Sequence, residues 1–419
     1  MKIENDNLSA HINVQKNQFF KWTQVHIKGD SSVSKIFLTN IVRIKPGDKY
    51  SQEELRQISK RLKQINFIRE VKPHEVLFTK EGAELFLYVK SNPISSVNGV
   101  VGLQPNNSTN VNASKYNLTG ELSLKLLNVI KRGELLQFDW KNPQPQTQSL
   151  IGKVNYPFIL KTPFGVDGQF NLYKRDSTYL EVKSTLGIQY FLKGGNYFKV
   201  FYQSYSSSVL SGAKNNPQFV NLGTVRSNSY GLAILRKQVD YIPNPSRGFI
   251  INSEFSVGTR KSQTNDSSKV ITTSTFRGNM NLEFFIPLAK RHVLRMANQT
   301  QLYYAPQIFQ NELYRFGGLT TQRGFNEDDL YATAMSTLSI EYRFLVDQNS
   351  RAFLFYDQSW YENNATKTYY KDTPFGFGTG FSFGTNIGIF SISYAMGKQM
   401  NNPILIKNGK VHFGYVAYF

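Results

Sequence analysis

Leu180-Glu-Val-Lys-Ser-Thr-Leu-Gly-Ile-Gln-Tyr190 sorts its side chains onto two faces. Leu180, Val182, Leu186, Ile188 and Tyr190 fall on one, and Glu181, Lys183, Thr185 and Gln189 on the other. Strict alternation is the period of an extended strand with one greasy and one wet side. Thr337–Phe344 repeats it, with Leu338, Ile340, Tyr342 and Phe344 against Thr337, Ser339, Glu341 and Arg343. Gly278, Met280, Leu282, Phe284 and Ile286 likewise oppose Arg277, Asn279, Asn281 and Glu283. From about Ser95 to Phe419 this period recurs, and roughly 16 such segments follow one another, an even number as in bacterial transmembrane barrels. A soluble sandwich alternates too, but with shorter strands. Segment length and aromatic residues near segment ends (Tyr197, Phe198, Tyr303, Tyr304, Trp360, Tyr361) favour the membrane barrel.

Bulk composition agrees with this. The 419 residues are 40% hydrophobic and 14% aromatic, too apolar for general disorder. No run approaches the ~18 apolar residues of a membrane-spanning helix, which leaves barrels untouched. There is no cysteine, hence no disulfide framework and no thiolate metal site. The net charge of +20 is spread along the chain and alternates with Asn, Gln, Ser and Thr, which suits a basic lumen and charged loops. A nucleic-acid partner is not expected, since such a domain concentrates its charge on one face. Met1-Lys-Ile-Glu-Asn-Asp-Asn7 lacks the pattern of a secretory leader, so an exported chain is expected to have lost sequence upstream.

Residues 20–92 read differently. Trp22–Lys28 alternates as a strand, Ser31–Ile41 suits a helix, and Lys45-Pro-Gly-Asp48 is a turn. Ser51-Gln-Glu-Glu54 has the form of a capping box, in which hydroxyl and carboxylate each satisfy a backbone donor. Leu55, Ile58, Leu62 and Ile65 follow at helical spacing. Two strands, Phe67–Phe78 and Ala83–Val89, complete a small α/β domain. Residues 1–19 read as a linker or the tail of an upstream region.

Tyr314-Arg-Phe-Gly-Gly-Leu-Thr-Thr-Gln-Arg-Gly-Phe-Asn326 interrupts the alternation. An arginine between Gln322 and Gly324-Phe325 in a long loop calls for a fixed counter-charge. Glu341 and Asp357, on the following strands, are the candidates. The pattern points to a loop tucked into the barrel and pinned by an ion pair.

At these residues the chain resembles the BamA superfamily of outer-membrane assembly and secretion proteins. Lys45-Pro-Gly-Asp-Lys-Tyr-Ser51 and Leu62-Lys-Gln-Ile-Asn-Phe-Ile-Arg-Glu-Val71 resemble a single POTRA domain, and Gln322-Arg-Gly-Phe325 resembles the family's loop with Gln322 at an aliphatic position. Asp240–Phe249 is similar to the tight turn before a family strand, and Val411–Phe419 to the C-terminal recognition strand of barrel clients, with Ala417 departing from it. The resemblance implies a mostly β fold: a 16-stranded antiparallel transmembrane barrel (93–419) in the bacterial outer membrane, preceded by one periplasmic POTRA domain. It implies no enzyme activity and no cofactor. It implies a latch of Arg323, Gly324 and Phe325 with Glu341 and Asp357, in which Arg323 merely rigidifies the barrel, gates it, or does both. A lateral seam is expected between the first and last strands, at Val97, Gly99, Val101, Gly102, Gly414 and Phe419, because glycine weakens strands. The implied partners are the outer-membrane lipid bilayer, an unfolded or extended protein client, and accessory lipoproteins or periplasmic proteins at the POTRA domain. Insertase, two-partner secretion translocator and purely structural barrel all remain open.

Gly380-Phe-Ser-Phe-Gly384 matches G-x-S-x-G, but the alternation runs through it without the helix that a nucleophile elbow requires. His11, His26, His74, His292 and His412 show no ligand spacing.

Overall fold

The computed structural model describes residues 2–4, 7–9, 19–30, 32–65, 67–92, 95–105, 116–144, 146–214, 216–242, 244–264, 269–326, 328–365, 369–385, 388–400, 404, 406 and 409–417. A short hairpin, β1 (Lys2–Glu4) with β2 (Asn7–Ser9), comes first. The α/β unit is β3 (Trp22–Gly29), α1 (Lys35–Val42), α2 (Gln52–Lys63), β4 (Ile68–Thr79) and β5 (Gly82–Ser91), with sheet order β3-β5-β4. Its core joins Trp22, Val25, Leu38, Ile41, Ile58, Leu62, Leu85 and Leu87, all essentially fully buried.

Serine hydroxyls start both helices. Ser34 Oγ accepts from the Phe37 amide at 3.2 Å and Ser51 Oγ from the Glu54 amide at 3.3 Å. The second half of the expected capping box does not form. The Glu54 carboxylate turns instead to two cations, Arg61 on its own helix and Lys193 on the barrel.

The barrel strands begin with β6 (Ser96–Pro105), β7 (Tyr116–Leu127), β8 (Leu135–Gln144), β9 (Thr147–Tyr156), β10 (Phe164–Arg175) and β11 (Tyr179–Phe191). They continue with β12 (Tyr197–Val209), β13 (Gly223–Val239), β14 (Gly248–Thr264), β15 (Val270–Ala289) and β16 (His292–Tyr304). A loop then carries the hairpin β17 (Tyr314–Phe316) and β18 (Leu330–Ala332), outside the wall. The wall resumes with β19 (Ala334–Leu345), β20 (Arg351–Asn363), β21 (Tyr370–Asp372), β22 (Phe375–Thr385), β23 (Gly388–Lys398) and β24 (Lys410–Ala417). β21 and β22 both pair with β20 and form one interrupted strand, so the antiparallel barrel has 16 members and closes where β24 meets β6.

Period-two patterning decides which way each strand faces. Leu186, Ile188, Tyr230 and Leu232 are each about 60% or more exposed, while Thr185, Gln189, Gln203 and Ser229 are buried. The apolar row points outward, where hydrocarbon covers it, and the polar row lines the lumen. Half of the expected aromatic girdle is reassigned by this geometry. Phe198, Tyr304 and Trp360 do face outward, but Tyr197, packed against the α/β core, and the buried Tyr303 and Tyr361 point inward, because adjacent residues of a strand must take opposite faces.

The α/β unit sits against one end of the barrel. Phe158 from a barrel turn and Phe191 at the end of β11 join its core, with Phe158 edge-on to Phe37 and tilted against Phe191. The Ser34 amide donates to the Lys131 carbonyl at 3.1 Å, and the Asn128 amide group to the Ser32 carbonyl at 3.0 Å. The Arg43 guanidinium donates to the Phe191 carbonyl. Counting strands from this end, the loop between β16 and β18 enters from the opposite mouth.

Candidate functional site

After barrel strand eleven the chain leaves the wall and folds into the lumen, where Arg323 shares a cavity with inward-facing residues of the wall. Arg323 Nε donates to Asp357 Oδ2 at 2.7 Å and Nη2 to Asp357 Oδ1 at 2.6 Å, a bidentate pair. Nη1 donates to Glu341 Oε2 at 2.8 Å, and Nη2 also reaches Ser339 Oγ at 2.9 Å. Glu341 Oε1 accepts from Arg343 Nε at 2.7 Å. The guanidinium plane lies 3.6 Å from the centre of the Phe355 ring, a cation–π contact. Arg323, Glu341 and Asp357 are all less than a tenth exposed. β19 and β20 present these groups because Ser339 and Asp357 are directly opposed in register, and Glu341 stands opposite Phe355.

Backbone shape allows the approach. Gly324 adopts φ +93°, and a Cβ there would meet the backbone of Met396 and Gly397 at 2.8 Å. A Cβ at Gly376 would strike the Arg323 carbonyl at 2.0 Å. Phe325 fills a separate apolar cluster with Phe316, Leu330, Ala332, Met335 and Tyr361. Gln322 is fully buried, donating to the Asp357 carbonyl at 3.2 Å and accepting from the Ser359 hydroxyl.

Two further anchors have no counterpart in the sequence reading. Arg260 grips Glu312 through Nε–Oε1 at 2.9 Å and Nη2–Oε2 at 2.6 Å, both side chains being inaccessible. Tyr303 donates to the same carboxylate, and Asn311 bonds Ser207 and the Gly223 backbone. Arg315 reaches Glu181 at 3.0 Å and stacks on Tyr173 at 3.9 Å. The loop therefore spans the lumen from β11–β14 to β19–β20. Glu181 and Arg260 face inward by alternation, which was readable; their partners on an irregular loop were not.

The loop also meets the wall beside the closure. The Gly324 amide donates to His412 Nε2 at 3.4 Å, and Leu319 Cδ2 would stand 3.6 Å from a Cβ on Gly414 of β24. Val97 is exposed on the outer face of β6, and the backbones of Gly99, Val101 and Gly102 continue that strand. Phe419 lies outside the described residues. Gly380-Phe-Ser-Phe-Gly384 lies inside the continuous strand β22. Gly380 leaves room for the Phe353 ring and Gly378 for the Phe355 ring, while Gly384 faces Asn349. Among the described residues no group of His, Asp or Glu is arranged to hold a metal.

Residues 108–415 match the family model of the Omp85 superfamily domain, and residues 20–91 match that of the surface antigen variable number repeat, a POTRA unit. No curated protein sequence matches the chain at a significant level. Among solved structures, CdiB from Acinetobacter baumannii is similar with TM-score 0.61 and 13% identity, over 96% of this chain and 74% of that one. CdiB from Escherichia coli aligns at 0.60 and 14% identity, over 96% and 76%. BamA from Haemophilus ducreyi lacking POTRA domains 1-3 aligns at 0.54 and 13% identity, over 96% and 85%. Likeness at such identity concerns the fold.

Proposed function

The chain belongs to the Omp85 superfamily, and from that premise we propose that it inserts or translocates protein clients at the bacterial outer membrane. In this reading the POTRA unit faces the periplasm as the docking site for clients and for accessory lipoproteins or periplasmic proteins. The seam between β6 and β24 acts as a lateral gate, and the Arg323 loop is its latch. The observation that carries the reading is the contact of one loop with both elements: Arg323 is clamped to β19 and β20, while Gly324 and Leu319 lie on β24. Only the first and last strands of a closed barrel can part without cutting continuous sheet, so a loop tied beside that closure is placed to couple latch and seam. An opened edge would pair with an incoming strand by β-augmentation.

Engineered cysteines joining β6 to β24 test this. Client insertion by reconstituted protein should stop on oxidation and return on reduction; full activity of the oxidised form would refute the lateral gate. A second reading, passage of an extended exoprotein through the pore as in two-partner secretion, is favoured by the polar, basic lumen wall. In that case the locked seam leaves transport intact while Arg323→Ala alters channel conductance. A structural barrel that moves nothing would show neither effect and only lower stability with Arg323→Ala.

A further inference from the structure

Where the POTRA unit meets the barrel lies a cavity of about 320 Å³. One side is apolar, with Phe37, Ile41 and Ile65 from the α/β unit. The other carries amides such as Gln189 and Asn252 and a set of lysines. Lys125 lies three residues from the start of the β7–β8 turn, Lys153 near the end of β9, and Lys237 near the end of β13. Lys125 is close enough to Lys153 and to Lys237 to repel both.

Two carboxylates, Asp167 and Glu254, also line the cavity, and a fourth lysine of the lining, Lys199, neutralises them. Lys199 draws Glu254 at 2.9 Å and Asp167 at 3.5 Å. Asp139, whose charge reaches Lys125, accepts from the Ser123 hydroxyl and from the Gln137 amide at 2.7 Å. Among the described residues, no carboxylate stands within ion-pairing distance of Lys125, Lys153 or Lys237. Like charges gathered in a confined space cost free energy that an anion relieves. A bare inorganic anion would leave the apolar half of the cavity unfilled.

We propose that this cavity binds an acidic, extended polypeptide segment, with its carboxylates on Lys125, Lys153 and Lys237 and its apolar side chains against Phe37, Ile41 and Ile65. The proposal rests on the client-handling reading above and names the chemistry of the client segment first met at the periplasmic mouth.

The full chain in detergent micelles can be titrated with a short fluorescein-labelled peptide alternating Glu and Leu, with Gln/Leu and Lys/Leu peptides as controls. Fluorescence anisotropy should give the Glu peptide roughly a tenfold tighter Kd than the Gln peptide, a margin typical of a charge-assisted contact. Added salt should erode that margin. The combined variant Lys125→Gln, Lys153→Gln, Lys237→Gln should lose it while keeping the heat-modifiable gel mobility of a folded barrel. Each single substitution should lower it in part, which guards against misfolding of the triple variant. Equal affinity for Glu and Gln peptides, or an undiminished preference in a folded triple variant, would overturn the proposal. The underlying reading fails separately: a protein that shows the lysine-dependent preference yet inserts and translocates nothing in proteoliposomes supports the site and refutes transport.

Discussion

Arg323 presents a planar fork of donors to two carboxylates on adjacent strands. Taking it away leaves Asp357 buried without its cation and Glu341 with Arg343 alone, a loss of about 3–5 kcal/mol for a broken buried pair. Arg323→Ala should therefore lower the temperature at which the folded band converts to the unfolded one on gels. Arg323→Lys should fail to restore it, because a point charge cannot span both acids; full rescue by Lys would show that charge alone matters. Gln322 invites a second test. Gln322→Leu brings in the family's aliphatic type but takes an acceptor from the Ser359 hydroxyl and a donor from the Asp357 carbonyl, costing about 1–3 kcal/mol by the usual penalty for an unsatisfied buried polar group. A stabilised Gln322→Leu protein in thermal melts would contradict this account. The arginine's partners were legible because both acids follow the motif closely and Glu341 sits on a polar strand face. Gln322's partner was not, since nothing local points from a loop amide to Ser359.

At the scale of the element, the loop between β16 and β18 is held at separate points rather than by one latch. Arg260–Glu312 and Arg315–Glu181 lie on the far side of the lumen from Arg323. Arg260→Ala should raise hydrogen exchange across Gln310–Phe316 while leaving the Arg323 segment protected. Uniform loosening of the whole loop would mean that it moves as a single rigid body. The expected capping box at α2 shows how tertiary charges override a local motif: Ser51 caps as anticipated, but Glu54 is drawn off by Arg61 and Lys193. Helix positions were readable from apolar spacing; the direction in which a surface glutamate turns was not.

For the whole molecule, the same Glu54 ties the POTRA unit to the barrel. Partial burial by itself raises its carboxyl, but hydrogen bonds and charge from Lys193 and Arg61 outweigh that and hold it below its usual 4.5. A depressed carboxylate contributes its stability above the unfolded value and loses it as pH falls through the folded one. The docked arrangement should accordingly loosen on acidification below about pH 4.5, read as faster hydrogen exchange in Phe37–Val42, while the barrel keeps its gel mobility. Glu54→Gln should remove that acid-dependent step; an unchanged step would assign the acid response to another group.

Sequence alone determined the barrel, the small α/β unit and the place of the loop after strand eleven. These follow from alternation, helical spacing and turn chemistry, which act between residues a few positions apart. Tertiary structure decided the pairings Arg260–Glu312 and Arg315–Glu181, that the loop has three anchors, and that the POTRA unit packs onto the barrel end at Phe158 and Phe191. Such contacts join residues tens to more than a hundred positions apart, and only the curvature of the closed sheet and the path of an irregular loop bring them together.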